Sequence, residues 1–428
     1  MVTKEIQQTK MVSIQTGSKT SVFEGLQTED LWEASRILGF PSALWRLPHT
    51  SEIKLLVSVQ DGVTKIQPDL EKLPGGFLID CFKWKENEPV HYLEGDIIVT
   101  FNENNQAIHT DNRLGEEHPD VKKLITLSTS LQKSSAGTKR GKGLLSGTVL
   151  TNENSKARFK QTVELAVSAI KQSEFKKVVL SRTKEIRYHA EFQPAKAFSK
   201  LEKAYPHAFV SLVNLPGQNE LWLGASPETL VEQKANGTFR TMSLAGTQKA
   251  GNSEGGLIPK HDVRWGQKEI EEHALVSRYI VECFKKIRLR EYSETGPKTI
   301  LAGNVYHLRT EFDVDTIALN FPELPTTMLK LLHPTSAICG EPKIPSLKFI
   351  GEVEGYDRSF YSGFLGPVQV DGESNIFVNL RTVRLKDGIA TFFAGAGITE
   401  DSVPEQEWAE TELKCDTLLK VIAEDIQN

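Results

Sequence analysis

Acidic and basic side chains share one face of a helix that the sequence predicts near the end of the chain, from about residue 405 to residue 424. Glu407, Glu410 and Lys414 stand at positions i, i+3 and i+7, so a helix places them on one side. This spacing is typical of a solvated surface on which Glu410 and Lys414 form an i, i+4 ion pair. The same carboxylates would contribute to a metal site if a second source of acids lay beside them.

A second source of acids is present in Lys268–Val276, where Glu269, Glu271 and Glu272 lie near a predicted helix start. Acids in a first helical turn complement the helix dipole without any ligand, which is one interpretation. If both helices point inward, two carboxylates with water and an anionic substrate supply the oxygen ligands that Mg²⁺ prefers. His273 has no second histidine at ligand spacing, so zinc is disfavoured.

Lys177, Glu228 and Arg381 each stand in or next to a predicted strand. Lysine at a strand end is commonly a solubilising residue, but burial lowers the pKa of a lysine and makes it a general base near neutral pH. A carboxyl such as Glu228 is a candidate for the partner acid. Arg381 alternates with Val378 and Leu380 and therefore points away from their face, either as an outward surface residue or as a clamp for a carboxylate.

The glycine pattern and the absence of a nucleophile pattern reduce the number of reactions that the sequence favours. Ala394–Ile398 contains two glycines that allow a backbone to approach a ligand closely. It lacks the spacing of a dinucleotide-binding fingerprint, and no nucleotide-binding P-loop pattern occurs, so dinucleotide and nucleoside triphosphate chemistry are disfavoured. No Ser/His/Asp or Cys/His pattern stands out.

The elements that must position these residues are mostly strands, often adjacent in sequence, which predicts a mixed or largely antiparallel α+β fold. The low-complexity stretch Lys133–Gly143 reads as a flexible connection after a functionally quiet N-terminal third. The predicted strands are Ile53–Val59, Gly76–Trp84, Asp96–Phe101, Val178–Ser181, Ala208–Val210, Glu220–Gly224, Phe239–Leu244, Thr299–Thr310, Ser359–Val370, Asn375–Leu385 and Ile389–Gly397. The predicted helices are Phe159–Ile170, Lys268–Arg290 and the terminal helix.

The composition of the 428-residue chain excludes several function classes. A net charge of −5 with 25% charged residues argues against a nucleic-acid binder. No window reaches the roughly 18 apolar residues of a membrane span, and the N-terminus lacks a secretory pattern, so we expect a cytoplasmic protein. The four cysteines are widely separated, which favours neither a disulfide framework nor a zinc site.

Taken in order, nine short motifs closely resemble the chorismate-utilising enzyme family, and within it the isochorismate synthase branch of the menaquinone or siderophore type. An ordered set is far more specific than any single motif, and it spans about residues 155 to 425. The motifs are Lys177–Arg182, Gly224–Glu228, Leu244–Thr247, Glu272-His273, His307-Leu308, Leu332–Thr335, Arg381-Thr382, Ala394–Ile398 and Glu407–Thr411.

The resemblance implies an α+β fold with two large packed β-sheets flanked by helices, like that of anthranilate synthase component I. Residues 141–428 would form the catalytic region, and residues 1–140 a divergent N-terminal portion integrated into the same fold. It also implies Mg²⁺ as the cofactor and chorismate as the small-molecule substrate. A downstream enzyme that uses isochorismate is an expected partner, whereas nucleic acid and membrane are not.

The resemblance also assigns roles to individual residues. By motif position, Glu272 and Glu410 match the metal ligands, with Glu407 as a third candidate. Lys177 matches the base that activates water to attack C2 of chorismate, and Glu228 matches the acid that protonates the departing C4 hydroxyl. The positions that match substrate contacts are Thr247, His307, Ala337, Ile338, Tyr361, Arg381, Gly395 and Lys414.

Several positions bear on the reaction within the family. Aminodeoxychorismate synthases often carry a nucleophilic lysine where this chain has Ala245, so water is the expected nucleophile. Ala337 and Ile338 resemble the pair found in isochorismate synthases, which favours stopping at isochorismate. Glu412 replaces a frequent glycine and favours a menaquinone-type over a siderophore-type enzyme. The alternatives are a salicylate synthase, an anthranilate synthase component I, and a chorismate-binding protein without catalytic activity.

Overall fold

Helices and strands alternate irregularly along the chain. The computed structural model describes residues 21–59, 62–136, 143–150, 153–251, 256–302 and 305–427. The helices within these ranges are α1 Thr28–Ile37, α2 Pro119–Ala136, α3 Glu153–Lys171, α4 Pro194–Ala204, α5 Gln267–Lys286, α6 Leu324–Leu332, α7 Lys343–Val353 and α8 Pro404–Ile422. Among them, none is both long enough and apolar enough to cross a bilayer.

The strands of the described ranges form two sheets. The strands are β1 Ser42–Arg46, β2 Ile53–Val57, β3 Val63–Ile66, β4 Gly76–Asp80, β5 Val90–Glu94, β6 Ile97–Phe101, β7 Ala107–Asn112, β8 Leu145–Val149, β9 Lys177–Tyr188, β10 Phe209–Leu215, β11 Glu220–Ser226, β12 Thr229–Gln233, β13 Thr238–Lys249, β14 Ser293–Ala302, β15 Val305–Asp315, β16 Gly340–Glu341, β17 Phe364–Val368, β18 Ser374–Val378, β19 Thr382–Lys386, β20 Ile389–Ile398 and β21 Ala423–Gln427. The larger sheet has the order β21-β8-β9-β20-β19-β11-β10-β1-β2-β6-β7, with β16 paired to β9. The smaller sheet has the order β14-β15-β13-β12-β18-β17-β4-β5-β3. Apart from the parallel β8–β21 pair, the pairings between these strands are antiparallel, which confirms the predicted fold class.

Apolar side chains from both sheets fill the space between them. Phe209 of the larger sheet stacks on Phe377 of the smaller sheet, with ring centroids 4.1 Å apart. Trp45 and Phe77 form a second contact of this kind, at 5.6 Å. Full burial of such a side chain stabilises the fold by about 2–3 kcal/mol, so this layer holds the two sheets together. On the other faces, α8 packs against β20 and α5 packs against β13.

The N-terminal third contributes strands to both sheets. β1, β2, β6 and β7 extend the larger sheet, and β3, β4 and β5 end the smaller one. The division of the chain at residue 140 stays a prediction. The expected flexible connection is partly wrong, because residues 133–136 form the last turn of α2. Residues 137–142 lie outside the described ranges.

Two segments predicted as single strands are each two strands, which corrects the sequence interpretation. Residues 299–310 belong to the paired strands β14 and β15. Residues 375–385 contain β18 of the smaller sheet and β19 of the larger sheet. Between them the chain passes from one sheet to the other, and Arg381 has a left-handed φ of 49°. Alternation of apolar residues does not reveal which sheet each half of a segment joins, so this crossing was missed.

Candidate active site

A cavity lies where β9 and β20 of the larger sheet approach β13 and β15 of the smaller sheet. Its empty volume is about 710 Å³, including space at its open mouth. Ten of the thirteen residues predicted for the site line this cavity. They are Glu228, Thr247, Glu272, His307, Ala337, Ile338, Tyr361, Arg381, Gly395 and Lys414. The remaining three, Lys177, Glu407 and Glu410, are linked to the same cluster by the contacts described next.

Lys177, the first residue of β9, forms an ion pair with Glu272 on the second turn of α5. The lysine Nζ donates a hydrogen bond to Glu272 Oε1 at 2.8 Å, and the lysine side chain is 1% exposed. Burial opposes ionisation of Glu272, but the nearby Lys177, Lys414 and Lys268 ammonium groups hold its pKa below the usual value. Glu272 is therefore a carboxylate whose charge is already balanced.

The terminal helix α8 adds two more lysine–glutamate pairs. Lys414 Nζ lies 2.6 Å from Glu410 Oε1, which confirms the predicted i, i+4 pair, and it also donates to the carbonyl oxygen of Gly395 at 2.7 Å. Lys268 on α5 donates to Glu407 Oε1 at 2.8 Å. Glu407 is only 1% exposed, so the interpretation as a solvated surface is wrong for this residue. Burial raises the pKa of Glu407. The Lys268 charge acts to lower this pKa, and the Glu410 charge acts to raise it.

The carboxylates of this cluster suit Mg²⁺, which takes few protein ligands, better than a metal that needs a complete set of protein ligands. Among the described residues, no three His, Cys, Asp or Glu side chains converge closely enough to hold an ion. Glu272 and Glu410 are both near enough to Lys268 to raise its pKa. Mg²⁺ commonly takes one or two carboxylates and completes its shell with water and substrate oxygens, so these two residues suit it.

His273 does not belong to a metal site in this structure. Its Nε2 atom lies 2.8 Å from the hydroxyl of Thr310, and burial lowers its pKa. The ring is buried between α5 and the smaller sheet, where a neutral imidazole packs. The sequence argument against zinc is consistent with this placement.

Glu228 lies between β11 and β12 and has surroundings unlike those of the other glutamates. It is 3% exposed, and no ion pair to it is found among the described residues. Burial raises the pKa of Glu228 to about 8, although the charge of Lys177 acts against this shift. The carboxyl is therefore protonated at neutral pH and can donate a proton into the cavity.

Arg381, at the crossing between the sheets, is held by His307. Burial, followed by the Arg381 charge, lowers the pKa of His307 to about 3, so the imidazole is neutral. His307 Nδ1 lies 2.7 Å from the Gly246 carbonyl oxygen and carries the proton, which leaves Nε2 as the acceptor for Arg381 Nη2 at 3.4 Å. Arg381 Nη1 has no protein partner among the described residues, so the buried guanidinium remains available to an anion.

Gly397 and Lys268 are functional candidates that sequence reasoning missed. A Cβ at Gly397 would lie 2.7 Å from Glu272 Oε1 and 2.9 Å from Lys177 Cε, so only glycine leaves room for that ion pair. The two glycines of Ala394–Ile398 predicted that the backbone there approaches a ligand closely. In the structure, Gly397 instead leaves space for the Glu272 and Lys177 side chains. Lys268 is the first residue of the acidic segment Lys268–Val276. Its position in the sequence does not indicate that it would contact a residue of the last helix.

The cavity also has an aromatic wall. Tyr361 stacks on Phe393, with ring centroids 5.1 Å apart and planes 15° apart. The other lining residues without a predicted substrate contact are mostly small or apolar, namely Val179, Pro227, Leu244, Ala245, Gly246, Ser362, Leu380, Ala394 and Gly397. Buried acid, ammonium and guanidinium groups beside an aromatic wall suit this cavity to a small anion.

Comparison with known proteins places this chain in a family. A family model described as "Chorismate binding enzyme" matches residues 83–423. Because the match covers more than half of the chain, the protein belongs to the chorismate-binding enzymes. It is 30% identical over 266 residues to the isochorismate synthase EntC of Escherichia coli K12, a match that covers 61% of this chain and 66% of that relative. The chain thus spans slightly less than two thirds of the relative's length.

Solved structures show the same fold. The menaquinone-specific isochorismate synthase MenF of Escherichia coli gives a TM-score of 0.67 at 21% identity, covering 89% of this chain and 88% of that one. Anthranilate synthase component I of Streptococcus pneumoniae TIGR4 gives 0.61 at 20% identity, covering 97% and 95%. These likenesses confirm the predicted two-sheet architecture. Since proteins named for two different reactions share it, the fold alone does not decide the reaction.

Proposed function

We propose that this protein is an isochorismate synthase that uses Mg²⁺ to convert chorismate to isochorismate in the cytoplasm. The observation that carries the proposal is the meeting, around one cavity, of the protonated Glu228 with the side chains of Lys177, Arg381 and Lys414. Chorismate is a dianion, which needs counter-charge, and its conversion needs both a base and an acid. The names of similar proteins such as EntC support the same reaction.

In the proposed reaction, the Lys177 ammonium first loses a proton to solvent. The neutral amine then takes a proton from water as the water oxygen bonds to C2 of the ring. The ring double bonds shift, and the bond from C4 to its hydroxyl oxygen breaks. Glu228 donates its proton to that oxygen, so one water is consumed and one is released. Arg381, held by His307, binds a substrate carboxylate, and Tyr361 with Phe393 borders the ring.

Glu272 and Glu410 would hold the magnesium ion, with Glu407 as the third candidate from the sequence. When bound, the ion supplies positive charge that stabilises the substrate's ring carboxylate. In this structure Oε1 of Glu272 is paired with Lys177 and Oε1 of Glu410 is paired with Lys414, so a bound ion would compete with these lysines for the carboxylates. A lysine displaced in this way would be free to contact the substrate, in the case of Lys414, or water, in the case of Lys177.

Three small or aliphatic residues favour isochorismate as the product. Ala245 lines the cavity, and its methyl group offers no nucleophile that would compete with water. Ala337 and Ile338 also line it. Their resemblance to the pair found in isochorismate synthases supports a reaction that stops before pyruvate is eliminated. Release of isochorismate to a downstream enzyme, of a menaquinone or a siderophore route, completes the proposal.

The product of the purified protein tests this proposal. The protein is incubated with chorismate, with and without Mg²⁺, and the products are separated by liquid chromatography. Isochorismate formed only with Mg²⁺ is the expected result. Salicylate with pyruvate would identify a salicylate synthase, and anthranilate formed with ammonia an anthranilate synthase. The absence of any Mg²⁺-dependent product would favour a chorismate-binding protein without activity.

Glu410→Ala tests the metal site separately from the product. We expect it to abolish activity at ordinary Mg²⁺ concentrations, because one of two ligand carboxylates is lost. Asp416→Ala on the same helix is the matched control, since Asp416 pairs with Lys420 at 3.1 Å on the other side. Thermal unfolding of both variants should resemble that of the unchanged protein. Near-normal turnover in Glu410→Ala would remove this residue from the mechanism.

A further inference from the structure

One edge of β9 lacks a neighbouring strand close to the cavity. On the opposite edge, β20 pairs with β9 from Val178 to Arg187. On the first edge, the pairing with β16 stops at Val178 and the pairing with β8 begins at Ile186. None of the described strands pairs with residues 179–185 on this edge. The backbone groups there need other partners, because a buried backbone group is costly to leave without a hydrogen bond.

Two side chains take the place of the missing strand. Arg358 Nη2 donates to the carbonyl oxygen of Val179 at 2.7 Å. Glu354 Oε1 accepts from the backbone amide of Ser181 at 2.7 Å. In a continuous sheet, a neighbouring strand would bond to these two backbone groups. Arg358 Nη1 also donates to the carbonyl oxygen of Ile338 at 2.9 Å, so the guanidinium joins β9 to the segment that precedes β16.

The two side chains also form a buried ion pair with each other. They are only 2% and 3% exposed, and Arg358 donates to both carboxylate oxygens of Glu354. Glu354 Oε1 also accepts from the Ser181 hydroxyl at 2.9 Å. Burial alone would lower the pKa of Arg358, but the Glu354 carboxylate raises it above its usual value. Such a bidentate, charged pair holds the groups bonded to it in one geometry.

The backbone that this ion pair holds lies directly behind the cavity. Val179 and Ile338 both line the cavity. Val179 and Lys177 are two residues apart on β9, so their side chains point to the same face of the strand. A shift of β9 at Val179 would therefore move the side chain of Lys177, the proposed base. Arg381 and Lys414, the proposed partners of the substrate's anionic groups, belong to other elements.

Resting on the proposed function, we propose that the Arg358–Glu354 ion pair positions Lys177 for the reaction by taking the place of a strand beside β9. Neither side chain lines the cavity, so both act through the backbone that they hold. Their loss should slow the chemical step more than it weakens substrate binding, because a misplacement of about 1 Å is costly for a reacting group.

Arg358→Lys tests the proposal with the positive charge kept. A single ammonium group lacks the planar fork that serves Glu354 and two carbonyl oxygens together. We expect kcat for chorismate to fall by about 10- to 100-fold while KM changes by less than about threefold. Arg240→Lys is the matched control, since Arg240 forms a bidentate pair with Asp313 on the smaller sheet, and it should retain normal kcat. A normal kcat in Arg358→Lys, or a change confined to KM, would overturn the inference.

A double variant separates positioning from charge balance. Arg358→Met combined with Glu354→Leu removes both charges together, so no unpaired buried charge remains and the fold should persist. The hydrogen bonds to β9 and to Ile338 are lost, so kcat should stay about tenfold or more below the original. The Ser181 amide should exchange with deuterium about tenfold faster, measured by mass spectrometry of peptides that span residues 178–182.

Recovery of kcat in the double variant to within about threefold of the original would show that the pair only balances its own charges, and would overturn the inference. Unchanged deuterium exchange at Ser181 would overturn it as well. Either result is compatible with Mg²⁺-dependent formation of isochorismate by the unchanged protein, so the proposed function would stand. If the unchanged protein forms no Mg²⁺-dependent product, the proposed function fails, and this inference fails with it.

Discussion

Two groups of glutamates around one cavity differ in their neighbours. In the lysine–glutamate cluster, formed by Glu272, Glu407 and Glu410 with Lys177, Lys268 and Lys414, every carboxylate has an ammonium group within 2.8 Å. Glu228 is about as buried as Glu407 and more buried than Glu272 or Glu410, whose side chains are 21% and 28% exposed. It has no ion pair among the described residues, and burial raises its pKa to about 8. The same residue type is thus proposed as a charged metal ligand in one group and as a proton donor in the other, and the neighbours decide which state the carboxyl adopts.

Removal of one lysine from the cluster should have the largest effect. Lys177→Ala deletes the proposed base and leaves Glu272 buried without its closest cation. We expect kcat for chorismate to fall by about 1,000-fold or more, measured by product formation at saturating Mg²⁺. Lys176→Ala, at the exposed neighbouring lysine, is the control and should retain normal kcat. A folded Lys177→Ala variant with kcat within tenfold of the original would exclude Lys177 as the base.

Glu228→Gln tests the other side of the comparison. The amide keeps the shape of the carboxyl but cannot donate the proton, so kcat should fall by about 100-fold or more. In the unchanged protein, activity should decline as pH rises through about 8, since the acid is then ionised. A pH profile of kcat that stays flat up to pH 9 would contradict the assignment of Glu228 as the acid.

The same carboxyl should link folding stability to pH. Its pKa is raised from 4.5 to about 8 in the folded protein, so its stabilising contribution is complete below pH 4.5 and is lost as pH rises through 8. Glu228→Gln removes this loss. The variant should therefore exceed the original in free energy of unfolding above pH 8, by an amount on the order of a few kcal/mol, measured by urea unfolding at pH 6 and 9. An equal difference at both pH values would show that Glu228 is already ionised at pH 6.

Gly397→Ala should have a smaller effect on the cluster. The added Cβ would meet Glu272 Oε1 at 2.7 Å and Lys177 Cε at 2.9 Å, so the ion pair must shift. We expect kcat to fall by about 10- to 100-fold, because misplacement by about 1 Å is costly in an active site. Gly351→Ala has no atom within 4 Å of the new methyl group and should leave kcat unchanged. Equal activities of the two variants would show that the pair adjusts freely.

Glu412→Gln extends the comparison to an ion pair outside the cavity and should have the smallest effect. Glu412 pairs with Arg182 and with Lys184, the latter at 2.8 Å, and so fastens α8 to β9. These cations hold the pKa of Glu412 below its usual value against the effect of burial. The substitution should lower the free energy of unfolding by about 1 kcal/mol at pH 7, and the difference should shrink as pH falls below 4.5 and Glu412 becomes protonated. Asp401→Asn, at an exposed site, is the control. A loss that stays constant as pH is lowered would contradict an electrostatic origin.

Residue types and local spacing were enough to predict much of this protein. The helical spacing of Glu407, Glu410 and Lys414 predicted their shared face. The family resemblance that the ordered motifs carry pointed to ten residues that line one cavity. The prevalence of adjacent strands predicted the α+β class. These features are readable because secondary structure repeats over a few residues and motif order is preserved along the chain.

Only the tertiary structure decided which charges meet. Glu407 was grouped with Glu410 by sequence, but its partner is Lys268, 139 positions away. Arg381 was expected on a regular strand, but it lies at a crossing between two sheets, where His307 can hold it. Sequence periodicity shows which side of a helix or strand a residue occupies, but it does not show which residues that side contacts. Because a charge responds to neighbours a few ångströms away in space, the protonated Glu228 and the balanced lysine–glutamate cluster appear only when the sheets and helices are assembled.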